Sequence, residues 1–228
     1  MNWRTFAADL TLTLGLAAAA SGCAGTSKEV DTLKGVDDLV GRVELLHFEA
    51  ELSKARSENA LDSLEGVANG GFRGDPVAAF DQLIKAVELS EEQADALRDA
   101  VEPMHSSAEA VFTQWAADAG ELRIDSLRTR SLARLEETRT RYAGILVAVE
   151  QAQKAYDAFN VGVRDHSTYL QNDFNAASVA DIQEELHTLA KWAGELNVRL
   201  DACMQACERY VAASALPGTV EVANGTEG

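Results

Sequence analysis

The longest uninterrupted helical pattern in the chain most restricts its fold. From about Asp125 to Leu170, apolar residues recur at alternating spacings of three and four, the period of a coiled-coil-like seam. The pattern covers about 47 residues, which as one helix is roughly 70 Å long. A compact domain of this chain length has a radius of gyration of only roughly 18 Å. The seam therefore predicts an elongated bundle of helices lying side by side.

Three further stretches carry the same spacing of apolar residues. The first runs from Val36 to Val67, and the last from Val179 to Tyr210. The second comprises a short helix through Phe80–Val87 and a longer one from Ala94 to Trp115. The sequence predicts an all-α, antiparallel helical bundle of four to five helices with coiled-coil-like packing over residues 36–213. The register of the second stretch persists across Pro103, which predicts one helix kinked at that proline.

Local signals predict where the helices begin and end. Residues 69–74 read Asn-Gly-Gly-Phe-Arg-Gly and break the first seam, while Asp75 followed by Pro76 is a cap with a first-turn proline. Ser90 with Gln93 has the spacing of a capping box, which predicts a helix start within the second stretch. The last helix is predicted to begin at Asn175 or Ser178.

Composition narrows the function classes. With 46% hydrophobic residues the chain is too apolar for a disordered protein, and 3 prolines leave few helix breakers. The 37 acidic and 20 basic side chains give a net charge of −17. A molecule with that charge is repelled as a whole by nucleic acid and by anionic lipid surfaces, so we expect no nucleic-acid partner.

The start of the chain has the pattern of an export signal. An apolar run from Leu10 to Ala20 leads into Ala20-Ser21-Gly22-Cys23, the small residues and cysteine of a bacterial lipobox. We therefore expect a signal peptide over 1–22, lipidation at Cys23 and membrane attachment through the acyl chains. A plain secretory signal and an uncleaved anchor remain alternatives. We also expect a flexible tether over 23–35 and a disordered tail over 214–228.

Several segments of the predicted helical bundle together resemble a known family. The resemblance is carried by Phe112–Trp115, by the arginine-rich stretch from Ser126 to Tyr142, and by Tyr169–Ala176 leading into Ile182–Leu186. The chain resembles the bacterial lipoproteins grouped as domain of unknown function 2959, over roughly residues 36 to 213. The resemblance implies a helical, coiled-coil-like lipoprotein of the cell envelope, and it supplies no catalytic residues. Ala24 after the cysteine favours attachment to the outer over the inner membrane in a host that has both. We expect the protein to face the periplasm.

One segment is basic in an otherwise acidic chain. Residues 123–141 have an excess of three positive charges, which leaves −20 for the rest of a chain whose total is −17. The arginines of this segment, called here the arginine island, are Arg123, Arg128, Arg130, Arg134, Arg139 and Arg141. Guanidinium groups bind phosphate and carboxylate in a bidentate way, so the island is a candidate site for an anionic ligand or partner. The alternative is that the arginines pair with acidic faces of neighbouring helices.

The spacing of the histidines is weaker evidence for a functional site than the arginine island. Glu44–His47, Glu102–His105 and Glu184–His187 have the spacing found in di-iron bundles, but they fall beside or opposite the apolar seams. We interpret them as pairs on solvated faces, and we expect no metal and no cofactor. His166 occupies a seam position, which predicts a core histidine hydrogen-bonded from a neighbouring helix, or else a pH-sensing or ligand-binding group.

Two other motifs have structural explanations. Cys203 and Cys207 are four residues apart on a predicted helix, too far for a disulfide, so we expect two small buried thiols. The tripeptide Arg73-Gly74-Asp75 matches an adhesion motif but is explained by a turn and a cap.

Two function classes remain open because the sequence contains no nucleophile elbow, phosphate loop or metalloprotease helix. The first is a non-catalytic scaffold or protein-interaction module of the envelope, with a protein partner or self-association. The second is a module that binds an anionic ligand at the arginine island, or a site built on His166. We expect the protein not to be an enzyme.

Overall fold

Helices account for nearly all of the chain that the structure describes. The computed structural model describes residues 25–70 and 75–214, with side chains from Leu33 onward. Its helices are α1 (Gly25–Ala68), α2 (Pro76–Asp99), α3 (Val101–Glu121), α4 (Asp125–Asn172), α5 (Ala176–Asp181) and α6 (Gln183–Ser214). No strand occurs within these ranges. The all-α prediction is therefore confirmed.

The helices form four antiparallel rods, made of α1, α2 with α3, α4, and α5 with α6. In the first pair of rods, Asp38 accepts a hydrogen bond from Ser107 of α3, whereas Glu49, further along α1, accepts one from Gln93 of α2. The sequence order reverses across the contact, so these rods run in opposite directions. The start of α1, the α3–α4 connection and the end of α6 consequently lie at one end of the bundle.

The core consists of the residues that the seams predict. Leu39, Leu97, Ile145 and Leu200, one from each rod, are buried. α4 has 48 residues and is about 70 Å long, as its pattern predicts. No helix in the described ranges is long and apolar enough to cross a membrane.

The second rod departs from the prediction at two points. It is divided at Ala100, three residues before Pro103, where the sequence predicts one kinked helix. Ala100 keeps helical angles (φ −69°, ψ −19°), and Pro103 lacks the N–H that would bond to the Asp99 carbonyl, so the break is the local effect expected of the proline. Ser90 does not start a helix: it lies buried inside α2, where it donates to Asn160 of α4 at 2.7 Å. Because the Ser90 hydroxyl bonds to a neighbouring helix, it does not cap the start of a helix.

The predicted tether over 23–35 is wrong for residues 25–35, which belong to α1. This segment is small and polar, but it contains no proline, and its lysine, glutamate and leucine are good helix formers. The caps are confirmed: Asp75 accepts from Val77 N at 3.0 Å, and Asn175 caps α5. The last rod is nevertheless divided at Ile182, between α5 and α6.

Candidate functional site

A cavity lies at the end of the bundle where α1 begins and α6 ends. Its volume is about 670 Å³, within the range of about 300–1,000 Å³ that is typical of small-molecule sites. Side chains of α1, α3, α4 and α6 form most of its wall, and many are apolar or aromatic: Leu33, Val36, Val111, Phe112, Trp115 and Tyr210. We call it the bundle-end cavity.

Two members of the arginine island, Arg134 and Arg141, line this cavity from α4. They are seven residues apart, so both project from the same face of the helix. The carboxylates of Asp118 and Glu137 also line the cavity, and Asp118 accepts a hydrogen bond from Gln114 at 2.8 Å. Two cations and two carboxylates thus border a largely apolar space.

Arg141 is the cavity residue with an unsatisfied donor. Its Nη2 donates to Thr138 Oγ1 at 3.0 Å, but its Nε is buried and has no hydrogen-bond partner. Within residues 33–70 and 75–214, neither Arg141 nor Arg134 forms an ion pair with a carboxylate. Buried donors in folded proteins almost always have a partner, so this unpaired Nε is an exception next to the cavity.

Tyrosine hydroxyls adjoin the arginines. Burial raises the pKa of Tyr210 to about 12, and burial also raises the pKa of the neighbouring Tyr142. The two rings meet edge to face, with centroids 6.3 Å apart, and the Tyr142 hydroxyl is 3.3 Å from His105 Nδ1. At neutral pH both hydroxyls therefore keep their protons, and Tyr210 in the cavity wall remains a potential donor.

The rest of the arginine island makes contacts within the chain. Arg128 bonds to Asp125 and to the Leu122 carbonyl, and Arg130 donates to the Ser126 carbonyl at 3.1 Å. Arg139 lies 3.7 Å from Glu136 and stacks over the Phe112 ring of α3 at 5.9 Å from its centroid.

Arg123 is exposed in the α3–α4 connection. The structure thus brings only Arg134 and Arg141 to the cavity. The two ion pairs of the island, Arg128–Asp125 and Arg139–Glu136, lie within α4 and do not join neighbouring helices.

The glutamate–histidine pairs are not arranged as a metal site. Among the described residues, no group of three or more histidine, cysteine or carboxylate side chains is placed to hold a metal ion. His47 contacts Glu208 of α6 at 3.2 Å, and His105 contacts Glu109 at 3.4 Å. These partners are not the glutamates three residues earlier in sequence, so the pairing that the spacing predicted is wrong for these two histidines.

His166 does not occupy the core position predicted for it. It is half-buried, and its Nδ1 lies 2.7 Å from the Gly162 carbonyl of its own helix, while Ser167 takes the buried seam position. The prediction of a partner on a neighbouring helix is therefore wrong. His166 lies instead in a shallow groove beside Asp165, Asp181 and Glu185.

Cys203 and Cys207 are both buried and both free, as their spacing predicts. Cys23, the signal peptide over 1–22 and residues 215–228 of the expected tail lie outside the described residues, as do Arg73 and Gly74.

Comparison with known proteins gives one family. The model of a family described as protein of unknown function (DUF2959) matches residues 27–214, which is most of the chain. No curated protein matches the chain.

Proposed function

The chain belongs to the DUF2959 family of proteins of unknown function, and for this member we propose a non-catalytic role as a cell-envelope lipoprotein that binds an anionic, amphiphilic ligand. The ligand site is the bundle-end cavity. The observation that carries the proposal is that Arg134 and Arg141 together line a cavity whose wall is largely apolar.

The cavity combines two kinds of surface that one ligand would have to satisfy. Arg134 and Arg141 supply charge-assisted donors, which suit a carboxylate or a phosphate. Phe112, Trp115 and Val111 supply apolar contact area a short distance away. A ligand with an anionic head and an apolar body matches both, whereas a small inorganic anion would leave the apolar wall without a partner.

The same groups support binding over catalysis. Arginine stays protonated at any ordinary pH, and burial raises the pKa of Tyr210 to about 12. Ser131, which also lines the cavity, accepts a hydrogen bond from Trp115 Nε1 at 2.9 Å and has no base among its hydrogen-bond partners. These side chains are suited to hold a fixed charge rather than to move a proton.

The proposed location depends on Cys23. The small residues Ala20, Ser21 and Gly22 before the cysteine support cleavage and acylation there, and the outer membrane is the favoured site. Cys23→Ser should abolish incorporation of labelled fatty acid and release the protein from the membrane fraction. Unchanged labelling and unchanged membrane retention would contradict the proposed anchor.

Binding is tested with decanoate as the probe and isothermal titration calorimetry as the measurement. Arg134→Gln and Arg141→Gln should each weaken decanoate binding by about tenfold, the effect of losing one hydrogen bond to a charged group. Arg199→Gln is the matched control, because it removes the same charge from a residue outside the cavity that pairs with Glu195. Equal affinity in all variants, or decanol binding as tightly as decanoate, would contradict the proposal.

A scaffold role is the second candidate. It is favoured by exposed valines along the sides of the bundle, Val147 and Val161 on α4 and Val198 on α6. Exposed apolar side chains of this kind suit contact with a protein partner or a second copy of the chain. Sedimentation of the wild type and of Val161→Lys tests self-association: a complex that the lysine dissociates supports this role, and a monomer in both cases contradicts self-association.

A further inference from the structure

The end of the bundle that holds the cavity also carries exposed apolar side chains next to basic ones. Leu33 at the cavity rim is 58% exposed and Ile124 in the α3–α4 connection is 59% exposed. Arg123, also exposed, directly precedes Ile124, and Leu127 is exposed in the first turn of α4. Exposed acidic residues border the same connection on both sides, so its charge is mixed. The exposed apolar side chains suit a bilayer interface, where they enter the acyl boundary, and Arg123 can meet an anionic head group there.

The chain also fixes how far this end can be from the proposed anchor. α1 begins at Gly25, two residues after Cys23, so the intervening chain spans at most about 7 Å. From Gly25 to Leu33 the helix rises about 12 Å. The cavity rim is therefore within about 20 Å of the acylated cysteine, and no long tether separates it from the bilayer.

We infer that this end of the bundle docks on the bilayer that holds the anchor, and that the cavity takes up the anionic head group and part of one acyl chain of a lipid from that bilayer. The inference rests on the proposed function and adds the source of the ligand. The volume of about 670 Å³ is that of a drug-sized ligand, so part of a lipid enters while the remainder stays in the membrane.

Two tryptophans report on the two halves of the molecule. Trp115 lines the cavity, whereas Trp192 lies on α6 beside Gly162, about 27 Å along that helix from Tyr210. Trp3 lies in the proposed signal peptide, so the mature lipoprotein that begins at Cys23 contains only these two tryptophans. In one variant of it, Trp192→Phe leaves only Trp115, and in the matched control Trp115→Phe leaves only Trp192.

Each variant is incorporated into vesicles of phosphatidylglycerol with brominated acyl chains, since bromine quenches nearby indoles. The fluorescence of Trp115 should fall and that of Trp192 should be unaffected. Adding Arg134→Gln and Arg141→Gln to the Trp115 variant should restore most of the lost fluorescence. Vesicles of brominated phosphatidylcholine should quench Trp115 less, because the head group carries no net negative charge.

The outcomes separate this inference from the proposed function. If decanoate binding depends on Arg134 and Arg141 but Trp115 is not quenched in the vesicles, the cavity binds a soluble amphiphile or a protein segment, and the bilayer source is overturned. Equal quenching of Trp115 and Trp192 would also overturn it, because the bundle would then lie along the membrane. If decanoate does not bind, the proposed function fails whatever the vesicles show.

Discussion

At the scale of single residues, Gly162 shows how closely two rods approach. A Cβ built on Gly162 would lie 2.9 Å from Leu189 Cδ1 and 2.9 Å from Trp192 Cζ3, both on α6. Real Cβ atoms do not make contacts that short, so α6 packs against the backbone of α4 at this point. Glycine is favoured here by the limited space and not by its backbone conformation, which is helical, and an alanine would require the Leu189 and Trp192 side chains to shift.

Gly162→Ala and Gly144→Ala form a matched pair on α4. Gly144 has no atom within 4 Å of the position of a Cβ, so alanine there should raise the free energy of unfolding by up to about 1 kcal/mol through helix propensity. At Gly162 the same gain is opposed by overpacking, which costs about 1–3 kcal/mol. Urea denaturation should find Gly162→Ala less stable than Gly144→Ala by about that amount. Equal stability would contradict the close contact.

Buried tyrosines predict a loss of stability in alkali. Burial raises the pKa of Tyr156 to about 12, and Tyr156 is fully buried. The unfolded tyrosine ionises near pH 10, so between about pH 10 and 12 the unfolded state binds fewer protons than the folded state. The free energy of unfolding should then fall as pH rises, by about 1.4 kcal/mol per pH unit for this group, and be constant below pH 10.

Tyr156→Phe provides the check on that alkaline slope. The variant loses the contact between the Tyr156 hydroxyl and Ser90 Oγ, at 3.3 Å, which should lower its stability at neutral pH. Between pH 10 and 12 its stability should nevertheless fall less steeply than that of the wild type. An identical slope in both proteins would show that Tyr156 does not carry the effect.

The arginine island shows what residue spacing can and cannot predict. The sequence identified all six arginines as candidates, because an excess of positive charge is visible in composition. It did not predict that Arg134 and Arg141 alone reach the cavity, because that depends on where α1 and α6 end relative to α4. Phe112, Trp115 and Tyr210 belonged to no predicted site. Trp115 and Tyr210, at seam positions near the ends of α3 and α6, gave a signal that could have drawn attention to this end of the bundle.

At the scale of elements, a buried polar contact fixes how α2 lies against α4. Ser90 Oγ donates to Asn160 Oδ1 at 2.7 Å, and both residues are buried between the two helices. Sliding one helix by a turn would leave both groups without partners, at a cost of about 1–3 kcal/mol for each. The pair therefore contributes to the register of the two rods.

A double-mutant cycle tests this contact. Ser90→Ala and Asn160→Ala should each lower the free energy of unfolding by about 1–3 kcal/mol, and the double variant should lose less than the sum of the two. Ser63→Ala is the control, since that hydroxyl bonds only to the Asn59 carbonyl of its own helix and its loss should change stability by less than about 0.5 kcal/mol. Strictly additive losses at Ser90 and Asn160 would contradict a coupled pair.

Helix spans and buried faces were predicted well because they follow from the periodicity of apolar residues. Helix boundaries were predicted poorly because they depend on single residues. The span of α4 and most of its buried face follow from the seam, because burial in a bundle depends on a period that the sequence displays. Ser90 was misread as a cap because its spacing to Gln93 fits a local motif, while its actual partner is 70 residues away. The early start of α1 was missed because a small, polar segment at a chain end also fits a tether.

At the scale of the whole molecule, the up-down-up-down path places the start of α1, the end of α6 and the cavity at one end. This arrangement places the proposed ligand site near the proposed anchor at Cys23 without a conformational change. The far end of the bundle, where α1 meets α2 and α4 meets α5, would then be the part most distant from the membrane.

The central claim is that the bundle-end cavity holds an anionic amphiphile in the cell. The most direct test is mass spectrometry of the lipid extract of full-length protein purified from the cell envelope, for the wild type, the double variant Arg134→Gln/Arg141→Gln and the control Arg199→Gln. We expect one class of anionic amphiphile to copurify with the wild type and with Arg199→Gln, and to be depleted from the double variant. The same extract from all three proteins would contradict the claim.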